Sequence, residues 1–223
     1  MFTIPNFLTL GNLITGTLGI ISVINQDPKS AFFYIVISVL FDYADGFVAR
    51  KLKMHSDIGK ELDSLADMVS FGVLPGITML YMMESVSNNV YLPYISLMII
   101  GFSALRLAKF NIDERQSDTF YGLPTPANAL FLTSLPHMNL ELLENVYVLG
   151  AIAVVFSLLL VSEIKMFALK FKNFSFAQNK WKFLAILLSA VCLYLMGIAG
   201  IPLIILSYIL FSIVSKFFAV DNK

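Results

Sequence analysis

Charge is what this sequence has least of. Lys, Arg, Asp and Glu make up 13% of the 223 residues, while hydrophobic residues reach 58%. Soluble domains carry about 25% charged residues, so a soluble fold is excluded, and a mean hydropathy of +0.80 points the same way. Fifteen basic and fifteen acidic residues cancel, which leaves no basic surface for nucleic acid. Cysteine occurs once, as Cys192 inside an apolar run, so an internal disulfide is excluded and the thiol reads as a small packing group. A charged segment ahead of the first apolar run is missing too, so that run reads as a retained span rather than a cleaved signal. No internal repeat, low-complexity tract or soluble domain is visible. The expectation is one all-α, polytopic membrane bundle over residues 1–223.

A helix needs about 20 apolar residues to cross the hydrocarbon core. Spans are expected near 6–24, 32–51, 58–83, 90–110, 124–138, 146–168, 182–198 and 201–219. That makes about eight, or six to seven if the short, proline-bearing fifth is re-entrant or the first lies partly in the interface. "GIAGIP" folds the last two into a hairpin, about 182–219, appended to a core of about 1–170. With the N-terminus in the cytoplasm, every Lys and Arg except Lys29 falls on the cytoplasmic side, at loops or helix ends. Positive-inside bias therefore places both termini in the cytoplasm. Trp181, among lysines, reads as an interfacial anchor.

Four acids stand out against this background. Asp42 and Asp45 are three apart in the second span; Gly59, Asp63 and Asp67 are spaced by four in the third. Those spacings place side chains on one helix face, and the short loop "KLKMHSD" makes the two helices antiparallel neighbours. An Asp at mid-bilayer costs about 2.5–3.5 kcal/mol on insertion scales. Arg50 and Lys60 are too little nearby positive charge for four acids. Cations held by hard oxygen ligands would offset the excess, and oxygen-only ligation favours Mg²⁺, Mn²⁺ or Ca²⁺. Four carboxylates suit a two-metal centre for phosphoryl chemistry. The plainer reading is an ion or proton pathway, or pairing with Arg50, Lys60 and Arg106. Gly46, Ala49 and Gly59 clear space for a ligand beside the acids, or serve close helix packing.

Asp42-x2-Asp45-Gly46-x2-Ala49-Arg50-x8-Gly59-x3-Asp63-x3-Asp67 resembles, at all eight fixed positions, the signature of the CDP-alcohol phosphatidyltransferases. The resemblance implies transfer of a phosphatidyl-type group from a CDP-linked donor to an alcohol, with release of CMP, at two divalent cations. It implies that Asp42 and Asp63 bridge both metals, that Asp45 completes the first site and that Asp67 completes the second. Asp67 would also take the proton of the incoming hydroxyl. Gly46, Ala49, Arg50, Ser56 and Gly59 would contact the CDP-diacylglycerol. Pro5 and Asn6 of "IPNFLT" would help hold the nucleotide, with Thr9 one turn on. Family members are commonly dimers, which implies a homodimer.

The acceptor is read from elsewhere. "ALRLAKFNI" (104–112), "YGLPTPANA" (121–129) and "VSEIKMFALKFK" (161–172) resemble stretches typical of the family's serine-accepting members. That implies L-serine as acceptor and phosphatidylserine as product, made at the cytoplasmic face of the cell membrane. Arg106 offers a planar fork for a carboxylate, and Lys109, Asn111, Ser162 and Lys165 are further candidates for the serine site. Lys165 stands where an arginine is usual, and Arg106 and Lys109 also read as snorkelling cations at a helix end. Pro124 and Pro126 shape the loop. His55 reads as a solvated loop residue and His137 as remote from the chemistry. Acceptors bearing a phosphate, glycerol 3-phosphate or inositol phosphate, would call for more arginines than Arg106 and Arg115. A transporter would spread its acids along a pore, and a structural scaffold leaves them unexplained.

Overall fold

The computed structural model describes residues 3–54, 56–113, 120–166 and 176–220. His55, Arg115, Lys170, Lys172 and Lys223 lie outside the described residues. Among the described residues are nine α-helices: α1 (Ile4–Ile24), α2 (Ser30–Leu52), α3 (Asp57–Asp67), α4 (Leu74–Val86), α5 (Leu97–Ile112), α6 (Thr125–Ser134), α7 (Val146–Val161), α8 (Phe176–Met196) and α9 (Ile201–Val220). A π-helical turn, Met68–Val73, joins α3 to α4 and makes Asp57–Val86 one 30-residue rod. The fold is all-α and polytopic, as expected.

Stretches 4–24, 30–52, 57–86, 92–112 and 180–215 have the length and apolarity to cross a membrane. The last contains most of α8 and of α9, folded back on each other at the 3-10 turn Gly197–Gly200, with the Trp181 and Phe211 rings 5.9 Å apart. Gly197 takes a positive φ of 56° at that turn, a conformation glycine adopts without steric cost. Counted separately, α8 and α9 bring the crossings to six, and the 16-residue α7 is a shorter seventh.

Two expected spans differ. The one placed at 124–138 is the 10-residue α6 with a 3-10 turn at Leu135–His137. At 1.5 Å per residue α6 covers about 15 Å, half the hydrocarbon thickness; it is wedged inside the bundle with seven of its residues buried. The one placed at 146–168 stops at Val161. Ser162 turns extended, and the chain is captured by residues 120–123 instead. Phe120–Tyr121 pairs antiparallel with Lys165–Met166, the Gly122 N–H donates to the Ile164 carbonyl at 2.9 Å, and that of Leu123 donates to the Leu159 carbonyl at 2.9 Å.

Two apolar clusters hold the bundle. Val23, Ile35, Phe71, Leu74 and Ala129 tie α1 and α2 to the π turn, α4 and α6. Met79, Ile99, Leu132, Leu149 and Phe156 join α4 to α7, and Ile205 and Ile209 seat α9 on them. Leu187, Tyr194 and Leu195 stay exposed on α8, where hydrocarbon rather than water is the natural solvent. At the start of α2, Asp27 accepts hydrogen bonds from the Ser30 N–H and hydroxyl, which hold its carboxyl below the usual range.

Candidate active site

Antiparallel packing of α2 and α3 brings three carboxylates together. Asp42, Asp63 and Asp67 each offer an oxygen within 4.8 Å of the others. Asp63 and Asp67 share a face of α3 by their spacing of four, and Asp42 reaches them from the C-terminal half of α2. Oδ1 of Asp63 is buried without a hydrogen-bond partner among the described residues. The described ion pair is Lys109 with Glu163, so Arg50, Lys60 and Arg106 do not neutralise the cluster by direct pairing. Three close acids without a cationic partner, one with an orphaned oxygen, are costly in an apolar bundle. The donor set is all oxygen and fits a hard divalent cation.

Asp45 stands apart from this trio. Its carboxylate accepts a hydrogen bond from the Thr9 hydroxyl, which also sits 3.1 Å from the Pro5 carbonyl oxygen. On α1, Asn6, Thr9 and Asn12 recur every third residue and all three are buried. Asn12 completes the stripe: its amide Nδ2 donates to Oδ1 of Asp67 at 3.1 Å. The Asn12 backbone carbonyl in turn accepts from Ser70 Oγ at 3.0 Å and from Ser38 Oγ at 3.4 Å. Ser70 lies in the π turn, so the widened helix just after Asp67 is what anchors to α1. Such π turns are often found at functional sites. The stripe of polar residues in an otherwise apolar span was a readable signal for Asn12 that the motif-based reading did not use.

Beside the carboxylates opens a cavity of about 430 Å³. Pro5 and Asn6 of α1 lie on its wall, with Gly46, Ala49 and Arg50 of α2 and Ser56 and Gly59 at the start of α3. Asp45 and Asp63 line it too, and Thr9 and Lys60 contribute as well. Ser56 is also the N-cap of α3, accepting from the Gly59 N–H at 3.0 Å. A Cβ on Gly59 would sit 3.1 Å from Ser56 Oγ and 3.2 Å from Asn6 Oδ1, narrowing the cavity where two helices meet.

The five serine-site candidates each have partners within the bundle or at its surface. Arg106 is buried, with Nε donating to the Leu123 carbonyl at 3.0 Å and Nη1 to the Thr125 hydroxyl at 3.1 Å. Its guanidinium lies within electrostatic reach of Asp67. Lys109 is paired with Glu163 at the surface. Asn111 donates to Ser64 Oγ at 2.7 Å, and its carbonyl accepts from Lys60 at 2.9 Å. Ser162 donates back to the Leu159 carbonyl at 2.9 Å. Lys165 is exposed, over the Tyr121 ring at 5.7 Å. His137 meets the Lys29 carbonyl at 3.0 Å, next to the α1–α2 loop.

The sequence profile of the CDP-alcohol phosphatidyltransferase family matches residues 2–162. A Bacillus subtilis protein named CDP-diacylglycerol–serine O-phosphatidyltransferase is 38% identical over 169 residues, covering 73% of this chain and 88% of that protein. A Methanocaldococcus jannaschii protein of the same name is 34% identical over 215 residues, 96% of this chain and 94% of its own length. An archaetidylserine synthase of Methanothermobacter thermautotrophicus is 36% identical over 138 residues, 59% of this chain and 56% of that protein. The profile takes in α1 to α7, with the carboxylate trio and the cavity, and the similarity to the second of these proteins runs on through the α8–α9 hairpin: this chain belongs to the CDP-alcohol phosphatidyltransferase family.

Proposed function

We propose that this protein transfers the phosphatidyl group of CDP-diacylglycerol to the hydroxyl of L-serine, giving phosphatidylserine and CMP. The observation that carries the reading is the trio Asp42, Asp63 and Asp67, joined to the cavity through Asp63 on its lining, in a chain similar over nearly its whole length to proteins named for this reaction. The cavity walls, with Arg50 and the glycines that keep them open, suit the nucleotide and diphosphate of the donor. Its acyl chains would remain in the bilayer.

Asp67 is the proton acceptor in this proposal. One oxygen is held by Asn12, which leaves the other to take the proton of the serine hydroxyl. The hydroxyl oxygen then forms a bond to the phosphatidyl phosphorus, and the bond from that phosphorus to the CMP oxygen breaks. A carboxylate base remedies the weak nucleophilicity of an alcohol at neutral pH. Arg50 is placed to offset charge on the departing CMP. Two divalent cations, Mg²⁺ or Mn²⁺ with Ca²⁺ as a substitute, held by Asp42, Asp45, Asp63 and Asp67, would supply electrostatic stabilisation of the diphosphate. The Lys and Arg distribution supports a cell-membrane protein with its site and both termini toward the cytoplasm. A homodimer follows from the family resemblance.

The test is CMP release by the purified protein in detergent, given CDP-diacylglycerol and Mg²⁺ or Mn²⁺, with L-serine, glycerol 3-phosphate, inositol phosphate or no acceptor. Release that depends on serine is expected. Release that depends on a different acceptor overturns serine as the substrate.

A further inference from the structure

Asn128 sits in α6 with its side chain wholly buried, and neither Nδ2 nor Oδ1 has a hydrogen-bond partner among the described residues. Folded proteins rarely leave both ends of a buried amide unmatched. The setting of Asn128 suggests what it is for. Thr125, three residues earlier and on the same helix face, accepts from Arg106 Nη1 at 3.1 Å. Ser103, three residues before Arg106 on α5, is a second buried hydroxyl without a described partner. Ser103 faces the π turn that follows Asp67: a Cβ on Gly72 would lie 3.1 Å from the Ser103 Cβ. Two polar stripes, Ser103–Arg106 and Thr125–Asn128, are therefore joined by the Arg106–Thr125 bond beside the π turn that follows Asp67, and neither belongs to the lining of the donor cavity. Tyr208 of α9 closes a third side, packed on the cluster that contains Leu123 and Met166.

Resting on serine as the acceptor, we propose that Asn128 is a specificity-determining residue that reads the amino acid's ammonium group. Nε and Nη1 of Arg106 are committed to Leu123 and Thr125, and Nη2 lies outside both bonds, available to a carboxylate. Asn128 Oδ1 is an acceptor without a described donor. A zwitterionic acceptor needs one group of each kind, and its hydroxyl then points toward Asp67. Glycerol 3-phosphate brings no ammonium, so it would leave Asn128 unmatched, which disfavours it even where it fits.

The experiment compares two acceptors in the CMP-release assay: L-serine, and 3-hydroxypropionate, which keeps the hydroxyl and carboxylate but lacks the ammonium. Asn128→Leu should raise the KM for serine about tenfold or more, the usual scale for loss of a charge-assisted hydrogen bond, and leave that for 3-hydroxypropionate nearly unchanged. Asn128→Asp, nearly the same shape, should instead increase the preference for serine over 3-hydroxypropionate, because the added carboxylate attracts the ammonium and repels the acid. It also covers the case in which the leucine variant fails to fold. A purely structural Asn128 would change both acceptors alike, and an unchanged preference in both variants overturns the proposal. Wild-type protein that releases CMP with no dependence on serine contradicts the proposed function itself, and this inference falls with it.

Discussion

The side-chain amide of Asn12 donates to Oδ1 of Asp67 at 3.1 Å, across 55 positions of sequence. That bond engages one carboxylate oxygen of Asp67 and ties α1 to the C-terminal end of α3; in the proposed reaction it leaves the other oxygen for the substrate. Asn12→Leu removes a donor to a charged acceptor, which is worth about 1.5–3 kcal/mol. At about 1.4 kcal/mol per decade of rate, kcat for CMP release should fall roughly ten- to hundredfold. Asn12→Asp should be worse, since it places another acid against Asp67. Unchanged kcat in Asn12→Leu would mean that Asp67 is oriented by other groups.

The approach of α1 to the π turn leaves no room for a methyl group at Gly16. A Cβ there would sit 2.7 Å from the Ser70 Cα and 2.2 Å from its Oγ. Backbone cannot yield as a flexible side chain can, so Gly16→Ala should destabilise by about 1–3 kcal/mol. Activity should fall as well, because Ser70 anchors the Asn12 carbonyl. Gly101 on α5 is the control: nothing lies within 4 Å of its Cβ direction. Gly101→Ala should be neutral, or stabilising by up to about 1 kcal/mol through helix propensity. Thermal unfolding in detergent checks both variants.

Much of this site is visible in the sequence, because it rests on local spacing. Asp63 and Asp67 share a face by their separation of four, and the short connection between α2 and α3 brings Asp42 to them. The α8–α9 hairpin is likewise announced by glycines between two apolar runs. What stayed hidden depends on non-local contacts. The π turn at Met68–Val73 leaves no compositional mark, since the widening follows from packing against α1. The end of α7 at Val161 is set by pairing with residues 120–123, some forty positions earlier. Lys109, Asn111, Ser162 and Lys165 were singled out as polar residues in stretches that match serine-accepting proteins. Their partners, Glu163, Ser64, the Leu159 carbonyl and the Tyr121 ring, could be seen only in the fold.

Arg106 and Lys109, three residues apart on α5, should respond very differently to removal. Arg106 is 7% exposed and holds Leu123 and Thr125. Arg106→Ala should cost about 2–4 kcal/mol of stability, as two buried bonds to a charged donor are lost. Arg106→Lys should not restore the wild-type value, because an ammonium cannot reproduce the fork. The pair between Lys109 and Glu163 is exposed, with side chains 37% and 60% accessible. Such pairs contribute about 0–1 kcal/mol, so Lys109→Ala should leave stability nearly unchanged and the serine KM within about twofold. A large rise in that KM would put Lys109 in the acceptor site.

The central claim is that Asp67, among carboxylates that hold divalent cations, activates serine against CDP-diacylglycerol. The most direct measurement is the rate of serine-dependent CMP release at saturating substrates, in wild-type protein and in Asp67→Asn, with the cation titrated from a chelated start. Wild type should be inactive after chelation and recover with Mg²⁺ or Mn²⁺. Asp67→Asn should stay at least about a thousandfold slower at every cation concentration, since it loses both a ligand and the base. An Asp67→Asn protein that recovers wild-type turnover when the cation is restored would contradict the account.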